Sequence, residues 1–320
     1  MPIPFKEIKR LGRENPADTS FMRYTAARAG RATKEIRDWW PLVRVAPLLP
    51  CAIVKAEDFC FARHGGVAWM PTLLMVVAAM RTGRTVPGGS TITQQLARNL
   101  FLTPERKLSR KFREVVCALA LERALDKARI LELYLNTVEW ADGVWGCAAA
   151  SAHYLSKTPD RLDAFESIVL STLLPAPRCP LAGDNLARAY AAQQRVAWQL
   201  YLSGVLSKTE TCNCLARAAR LRELLARGAS LREAFAAERA SGALNSEASF
   251  LPFTRHNDEP LAPRDAVASA GFGFERERFE LIELRRRLGA KRWQEAVVSG
   301  GFFRAAPKAT EAALPEQQSV

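Results

Sequence analysis

Residues 88–95 read Gly88-Gly89-Ser90-Thr91-Ile92-Thr93-Gln94-Gln95, and the interpretation of the whole chain starts from this stretch. Two glycines precede a hydroxyl, and Thr91 is followed three residues later by Gln94, the capping-box pattern of a helix start. A helix that begins after a glycine turn also presents free N–H groups and the positive end of its dipole, which suits phosphate. The stretch alone therefore predicts either a helix cap, the commoner of the two, or an anion site.

Length and composition are those of a globular protein with an acidic partner. The chain has 320 residues, of which 48% are hydrophobic, and a formal net charge of +13. Such a charge fits nucleic acid, an anionic membrane surface or a phosphorylated substrate, and does not choose among them. The 7 cysteines show no CxxC pairing, so zinc and a disulfide framework are both poorly supported.

No run of about 18 apolar residues, the length that a membrane-spanning helix needs, occurs in the sequence. The best apolar run is residues 73–80. It predicts a core helix, with a helix lying in a membrane interface as the alternative.

A carboxylate pair, Glu57 and Asp58, follows a largely apolar segment over residues 43–56. Desolvation raises the pKa of a carboxyl group and makes it a candidate proton acceptor near neutral pH. The simpler alternative is that one of the pair caps a helix or forms an ion pair with Arg63.

A second helix start is predicted at Thr103-Pro104, leading into a helix that continues to about Leu125. We expect the apolar stripe of this helix to face the core, and the basic side around Glu114 to face either a cleft or solvent. The stripe consists of Leu108, Phe112, Val115, Val116 and Leu119, and the basic side of Lys107, Arg110, Lys111 and Glu114.

The remaining patterns predict a mainly α protein. Helices are expected over residues 127–136 with Asp126 as the cap, 147–157, 162–174, 186–202, 217–239 and 275–298, and strand signals are weak throughout. The character of the sequence changes after Ser203, and the tail after Arg304 has the composition of a disordered segment.

Taken in order, five groups of residues resemble the peptidoglycan glycosyltransferases of family 51, in the monofunctional form without a transpeptidase domain. They are Glu57-Asp58 with Phe61, His64 and Gly66 (E-D-x-x-F-x-x-H-x-G); residues 88–95 (G-x-S-T-I-T-Q-Q); Arg110-Lys111 with Glu114 (R-K-x-x-E); Ile130-Leu131-Glu132 with Tyr134-Leu135-Asn136; and Gly143 and Gly146 leading to Ala148-Ala149, Tyr154 and Lys157. Glu139-Trp140 is similar to the monofunctional members in particular. One such match would be weak, whereas all of them in order and correctly spaced are specific.

The resemblance implies a mainly α, lysozyme-like glycosyltransferase domain with an additional helical C-terminal region. A lobe of this fold dips into the membrane, and residues 73–80 fall where it would be. The predicted organisation is a basic lead over residues 1–38, a glycosyltransferase domain over 39–203, a helical extension of unknown role over 204–304 and a disordered tail over 305–320.

The implied reaction polymerises lipid II into β-1,4-linked glycan with release of undecaprenyl pyrophosphate. By resemblance Glu57 is the general base and Glu114 assists the leaving group, directly or through a divalent cation such as Mg²⁺; no cofactor is certain. Substrate binding is expected from Ser90, Thr91, Thr93, Gln94, Gln95, Arg98, Arg110, Lys111 and Lys157, and a structural role from Asp58, His64 and Asn136. The family usually has lysine where this chain has Arg98, which changes the geometry of a phosphate contact.

The resemblance also implies partners and a location. The expected partners are lipid II, the growing glycan strand, the bacterial cytoplasmic membrane and cell-wall synthesis or division proteins, with no nucleic acid. The expected location is the periplasmic face of the cytoplasmic membrane, although no signal or spanning segment is visible in the sequence. Two other functions stay open: a lysozyme-like lytic enzyme, allowed by the related fold, and a non-catalytic scaffold, which retention of both Glu57 and Glu114 disfavours.

Overall fold

A computed structural model describes residues 3–33, 36, 38–69, 89–103 and 108–241 of the chain. Four sequence predictions lie outside the described residues: the apolar run over 73–80, the helix start at Thr103-Pro104, the helix over 275–298 and the tail after Arg304. Of the helix start, only Thr103 is described. Gly88 and Lys107 also fall outside the described residues.

The described residues form helices joined by short connections, so the predicted mainly α fold is confirmed. The helices are α1 (Phe5–Arg10), α2 (Ser20–Arg28), α3 (Leu48–Glu57), α4 (Ile92–Phe101), α5 (Leu108–Ala124), α6 (Lys127–Thr137), α7 (Gly146–Leu155), α8 (Ala164–Ser171), α9 (Gly183–Leu202), α10 (Lys208–Ala226) and α11 (Leu231–Ala240). Strands β1 (Glu139–Ala141) and β2 (Val144–Trp145) pair as an antiparallel hairpin between α6 and α7.

The predicted helix caps at Thr91 and Asp126 are confirmed. The Thr91 hydroxyl accepts the Gln94 N–H at 3.1 Å, and the Gln94 side chain accepts the Thr91 N–H at 3.0 Å, which completes a capping box at the start of α4. Asp126 caps α6 through the Arg129 N–H at 2.7 Å. These bonds satisfy N–H groups that a helix cannot pair internally.

The predicted orientation of α5 is wrong. Phe112, expected in the core, has 71% of its surface exposed, whereas Glu114 is 1% exposed. The buried face of α5 carries Cys117, Ala118, Leu121 and Leu125 in addition to Glu114. Small side chains on this face let α4 pack closely, so the polar end of α5 is directed inward, toward the candidate site.

A single hydrophobic cluster runs through the domain, with α3, α4 and α6 at its centre. Its largest fully buried side chains include Trp140, Tyr134 and Phe61. Helix α3 packs against α8 and α9, and α4 packs against α5 and α6. The ends of α3 and α4 are thereby held together, which matters because the candidate base lies at the end of α3.

Helices α10 and α11 replace the single helix expected over residues 217–239. A capping box at Ser207 begins α10, and the chain turns at Gly228, where φ is +92°. Both helices pack on the body of the domain, α10 against α8 and α9 and α11 against α7. The domain boundary at residue 203 stays a prediction, and residues 208–240 share the core of the preceding helices.

Arg217 joins these two helices to α8. Its guanidinium donates to the Glu238 carboxylate at 2.7 and 2.9 Å and to Asp163, the cap of α8, at 2.8 Å. The same group lies 4.3 Å from the centre of the Phe165 ring. The Glu238 side chain is 4% exposed, so its charge depends on Arg217 and on Arg220, which lies 3.6 Å away.

We expect Arg217→Ala to lower the free energy of unfolding by about 3 kcal/mol, because a buried carboxylate loses two charge-assisted hydrogen bonds and keeps only the more distant Arg220, 3.6 Å away. Arg227→Ala, which removes an exposed arginine at the end of α10, is the matched control and should change stability by less than about 0.5 kcal/mol. Urea unfolding followed by circular dichroism measures both. Equal losses in the two variants would show that the Arg217 cluster does not anchor α10 and α11.

The location expected from the resemblance, the periplasmic face of the cytoplasmic membrane, is not supported by the structure. Within the described ranges, no helix combines the length and the apolar character needed to cross a membrane. That expectation is therefore withdrawn.

Candidate active site

Glu57 is the last residue of α3, a helix whose preceding residues are almost all buried. The chain leaves the helix at Asp58, whose backbone is non-helical. The Asp58 carboxylate accepts the backbone N–H of Ile92 at 3.0 Å, so it ties the end of α3 to the first turn of α4. This contact fixes Glu57 beside the helix that carries Gln95.

His64 completes the connection on the other side of Asp58. Its Nε2 lies 2.9 Å from both Asp58 carboxylate oxygens, and its Nδ1 accepts the Gly66 N–H at 3.1 Å. The accepting nitrogen carries no proton, so Nε2 is the one that donates to Asp58. These contacts of Asp58 and His64 connect the end of α3, the segment up to Gly66 and the start of α4.

Glu57 receives a directed hydrogen bond from Gln95. The Gln95 amide N–H donates to Glu57 Oε2 at 2.8 Å, while the buried Tyr134 hydroxyl donates to Gln95 Oε1 at 2.9 Å. Because an ionised carboxylate can only accept, the amide nitrogen faces Glu57, and the amide oxygen is left to accept the tyrosine proton. No described residue donates to the other carboxylate oxygen, Oε1.

Burial raises the pKa of the Glu57 carboxyl above its ordinary value. The hydrogen bond from Gln95 and the charges of Arg195 and Arg98 act in the opposite direction and favour the carboxylate. The environment thus makes Glu57 a stronger base than an exposed glutamate and still supplies partners for its charged form. Arg195 lies on α9 and was not singled out from the sequence, where that helix showed only an amphipathic pattern.

Glu114 organises a second group of charges on the inward face of α5. Its carboxylate pairs with Arg110 at 2.9 Å and with the Lys111 ammonium. Lys111 also donates to the Ser90 hydroxyl at 3.0 Å, and the Ser90 carbonyl lies 3.4 Å from the Gln95 amide nitrogen. Ser90 therefore connects the charges on α5 to the glutamine that holds the base.

The surroundings of Glu114 do not fit a divalent cation. The groups that contact its carboxylate are two cationic side chains and not further oxygen ligands, whereas Mg²⁺ is held by carboxylates, phosphates and water. Among the residues that the structure describes, no group of three or more His, Cys, Asp or Glu side chains is arranged to hold a metal.

Three of the polar residues expected to bind substrate are buried and bonded within the protein. Thr91 donates to the Gly66 carbonyl at 2.6 Å, Thr93 donates to Glu122 at 2.6 Å, and Gln94 belongs to the capping box. Their contacts shape the wall of the cleft, and their contact with substrate stays a prediction. Ser90 and Gln95 are the members of this stretch that join the two charged groups.

Lys157 and Asn136 are also bonded within the fold. The Lys157 ammonium lies 2.6 and 2.8 Å from the oxygens of Glu166, a carboxylate buried in α8. Asn136 exchanges hydrogen bonds with the Trp40 backbone, receiving its N–H at 2.9 Å and donating to its carbonyl at 2.8 Å. Asn136 thus holds the chain before α3 against α6, and the role proposed for Lys157 in binding substrate is not supported by a contact with either charged group.

The arrangement suits transfer of a group with an anionic leaving group. A carboxylate oxygen that receives no hydrogen bond from the described residues can accept a proton from a hydroxyl nucleophile. The cations on α5 can neutralise negative charge that develops on the departing group.

The chain is similar in sequence to a known protein family. A family model described as Transglycosylase matches residues 25–201. The chain is 42% identical over 167 residues to a biosynthetic peptidoglycan transglycosylase of Aromatoleum aromaticum, covering 51% of this chain and 73% of the relative. It is 44% identical over 167 residues to the protein of the same description from Burkholderia orbicola, with 51% and 68% covered. It is 40% identical over 177 residues to that of Janthinobacterium sp., with 54% and 77% covered.

Proposed function

The chain belongs to the transglycosylase family and is a peptidoglycan glycosyltransferase, and from this premise we propose that it polymerises lipid II into β-1,4-linked glycan with release of undecaprenyl pyrophosphate. The observation that carries this proposal is the pair of hydrogen bonds that runs from Tyr134 through Gln95 to Glu57. It leaves one oxygen of a buried carboxylate available as a base. Lipid II and the growing glycan are the proposed substrates. Cell-wall synthesis or division proteins are proposed partners.

In the proposed reaction, Glu57 Oε1 removes the proton from the 4-hydroxyl of the acceptor N-acetylglucosamine. The freed oxygen forms a bond to C1 of the donor sugar from the face opposite the pyrophosphate. The bond from C1 to the pyrophosphate oxygen breaks, and its electron pair leaves with the pyrophosphate. Attack from the opposite face converts the α-linked donor into a β-linked product.

Arg110 and Lys111 are proposed to neutralise the departing pyrophosphate. Pyrophosphate is a good leaving group, so charge neutralisation contributes more than a strong general acid would. Glu114 contacts both cations and is proposed to hold them at the leaving group. The two carboxylates are thus proposed to have different roles. Glu57 accepts the proton, and Glu114 positions the two cations.

We expect the pH dependence of kcat/KM to report the raised pKa of Glu57. Below that pKa the base is protonated, so activity falls with decreasing pH, and this acid limb should lie above the ordinary pKa of a glutamate carboxyl. Arg195→Gln removes a charge that favours the carboxylate, so the limb should move to higher pH. Arg188→Gln, an exposed arginine on the same helix, should leave it in place. An acid limb that moves to lower pH in Arg195→Gln would contradict the assignment.

The proposed function is tested by incubating the purified protein with fluorescent lipid II in detergent and separating the products by gel electrophoresis. We expect a ladder of glycan strands that a β-1,4 muramidase digests. Intact peptidoglycan sacculi are incubated in parallel. If the protein forms no strands where a relative does, and instead releases muropeptides from sacculi, the lytic alternative is correct; if it does neither, the scaffold alternative is.

A further inference from the structure

The N-terminal helix α2 forms one wall of a cavity that reaches the candidate active site. The cavity has a volume of about 690 Å³. Tyr24 and Arg28 of α2 line it together with Gln95 and Arg98 of α4, and the chain over residues 174–179 closes another side. Helix α2 packs directly against α4. Sequence analysis assigned this part of the chain to a basic lead without a chemical role.

Two arginines lining this cavity have no carboxylate partner among the described residues. A third arginine of the cavity, Arg178, is neutralised by Glu139, to which it donates two hydrogen bonds at 3.0 and 2.8 Å. Arg28 and Arg98 make no ion pair or hydrogen bond within the described parts of the chain. Unpaired guanidinium groups sharing a cavity favour an oxyanion, which they can bind through paired N–H groups.

This pair of arginines is separate from the cations assigned to the leaving group. Neither Arg110 nor Lys111 lines the cavity. Arg98 is nevertheless close to the chemistry, because it lies one helical turn after Gln95 and its charge acts on the carboxylate of Glu57. An anion bound between Arg28 and Arg98 would therefore adjoin the base.

The proposed reaction brings two anionic substrates together in each cycle. One pyrophosphate leaves the donor, whereas the acceptor keeps its own, and the stem peptides add carboxylates. A site with one group of cations would bind only one of these anions. We propose that Arg28 joins Arg98, which the resemblance already assigns to substrate binding, in one oxyanion subsite, so that α2 is part of the binding site; this inference rests on the proposed function.

The test compares the kinetics of lipid II polymerisation in Arg28→Ala with those of Arg23→Ala. Arg23 is on the same helix but pairs with Asp18 and does not line the cavity. We expect Arg28→Ala to raise KM for lipid II about tenfold with little change in kcat, the effect of losing one charge-assisted contact. Arg23→Ala should resemble the wild type. Arg28→Lys should recover part of the loss, since it keeps the charge but not the paired N–H groups.

A double-mutant cycle tests whether the two arginines bind one group. If they share an oxyanion, the fold-increase in KM for the double variant, which carries both Arg28→Ala and Arg98→Ala, is smaller than the product of the fold-increases for the two single variants. An Arg28→Ala enzyme with the KM of Arg23→Ala, or increases that multiply independently, would overturn the proposal. Lipid II with the full stem peptide and lipid II carrying only a first alanine amide, which has no carboxylate, distinguish the source of the anion. An effect confined to the former identifies peptide carboxylates, and an equal effect on both identifies the pyrophosphate.

Failure of this inference is distinguishable from failure of the proposed function. Binding of lipid II in detergent is measured by fluorescence anisotropy as well as by turnover. A wild type that makes no glycan rejects the polymerase, while the difference in binding between Arg28→Ala and Arg23→Ala still supports or rejects the subsite. Arg28 is exposed, so its replacement is compatible with folding, and thermal melting of each variant checks this.

Discussion

Glu57→Gln is expected to reduce the rate of glycan formation by about a thousandfold, the contribution of a positioned general base. Glutamine has the size of glutamate and can still accept the hydrogen bond from Gln95, so the geometry of the chain from Tyr134 is preserved. What is lost is the ability of Oε1 to take the proton of the acceptor hydroxyl. The rate of strand formation from fluorescent lipid II measures the effect.

Stability provides the control for this variant. A carboxyl group whose pKa is raised by folding contributes stability at low pH that is lost as the pH rises through the raised pKa. At neutral pH the charged Glu57 is therefore a cost to the folded state, and Glu57→Gln should melt at or above the temperature of the wild type. Glu223→Gln, on the exposed side of α10, should keep full activity. A Glu57→Gln enzyme with more than about a tenth of wild-type activity would not be compatible with a general base.

Glu114→Gln is expected to lower kcat by about a hundredfold, the scale seen when a preorganised electrostatic contact to a transition state is removed. The amide keeps the volume of the carboxylate but not its charge, so Arg110 and Lys111 lose the anchor that holds them together. If these cations act on the departing pyrophosphate, kcat and kcat/KM should fall by similar factors.

The matched control is Arg123→Gln, an exposed change on the same helix. It should leave both kinetic constants unchanged. Because Glu114 is almost completely buried, thermal melting must accompany the kinetics. If Glu114→Gln raised KM while kcat stayed at the wild-type value, Glu114 would act in binding the ground state and the proposed role at the leaving group would be wrong.

Local patterns predicted the ends of helices well. The capping box of Thr91 and Gln94 and the cap at Asp126 are formed by residues within three positions of each other, so sequence spacing determines them. The turn at Gly228 was missed because an amphipathic pattern continues on both sides of it. The left-handed backbone at Gly228 and the capping box of Ser230 and Glu233 together separate α10 from α11.

Tertiary packing decided what local patterns could not. Apolar residues of α5 lie around much of its circumference, so periodicity did not identify the buried face. The structure buries Glu114 with small residues and leaves Phe112 exposed. The contribution of Arg195 to the surroundings of Glu57 was equally inaccessible, because this residue is distant from the motifs in the chain and carries no pattern of its own.

The candidate base and its partners were predicted as residues, whereas their roles required geometry. The resemblance placed Glu57, Gln95 and Tyr134 in three separate motifs and did not relate them to one another. The structure joins them in one chain of hydrogen bonds that directs an amide N–H at the carboxylate. Conversely, Lys157 was expected near substrate and is bonded to Glu166.

The most direct test of the central claim is the stoichiometry of the reaction catalysed by the purified protein. Undecaprenyl pyrophosphate released and disaccharide units joined are quantified together from radiolabelled lipid II, for the wild type and for Glu57→Gln. We predict that each unit joined is accompanied by one pyrophosphate released, and that Glu57→Gln loses both in parallel. Glycan formation that persists in Glu57→Gln, or pyrophosphate release by the wild type without glycan, would contradict polymerisation with Glu57 as the base.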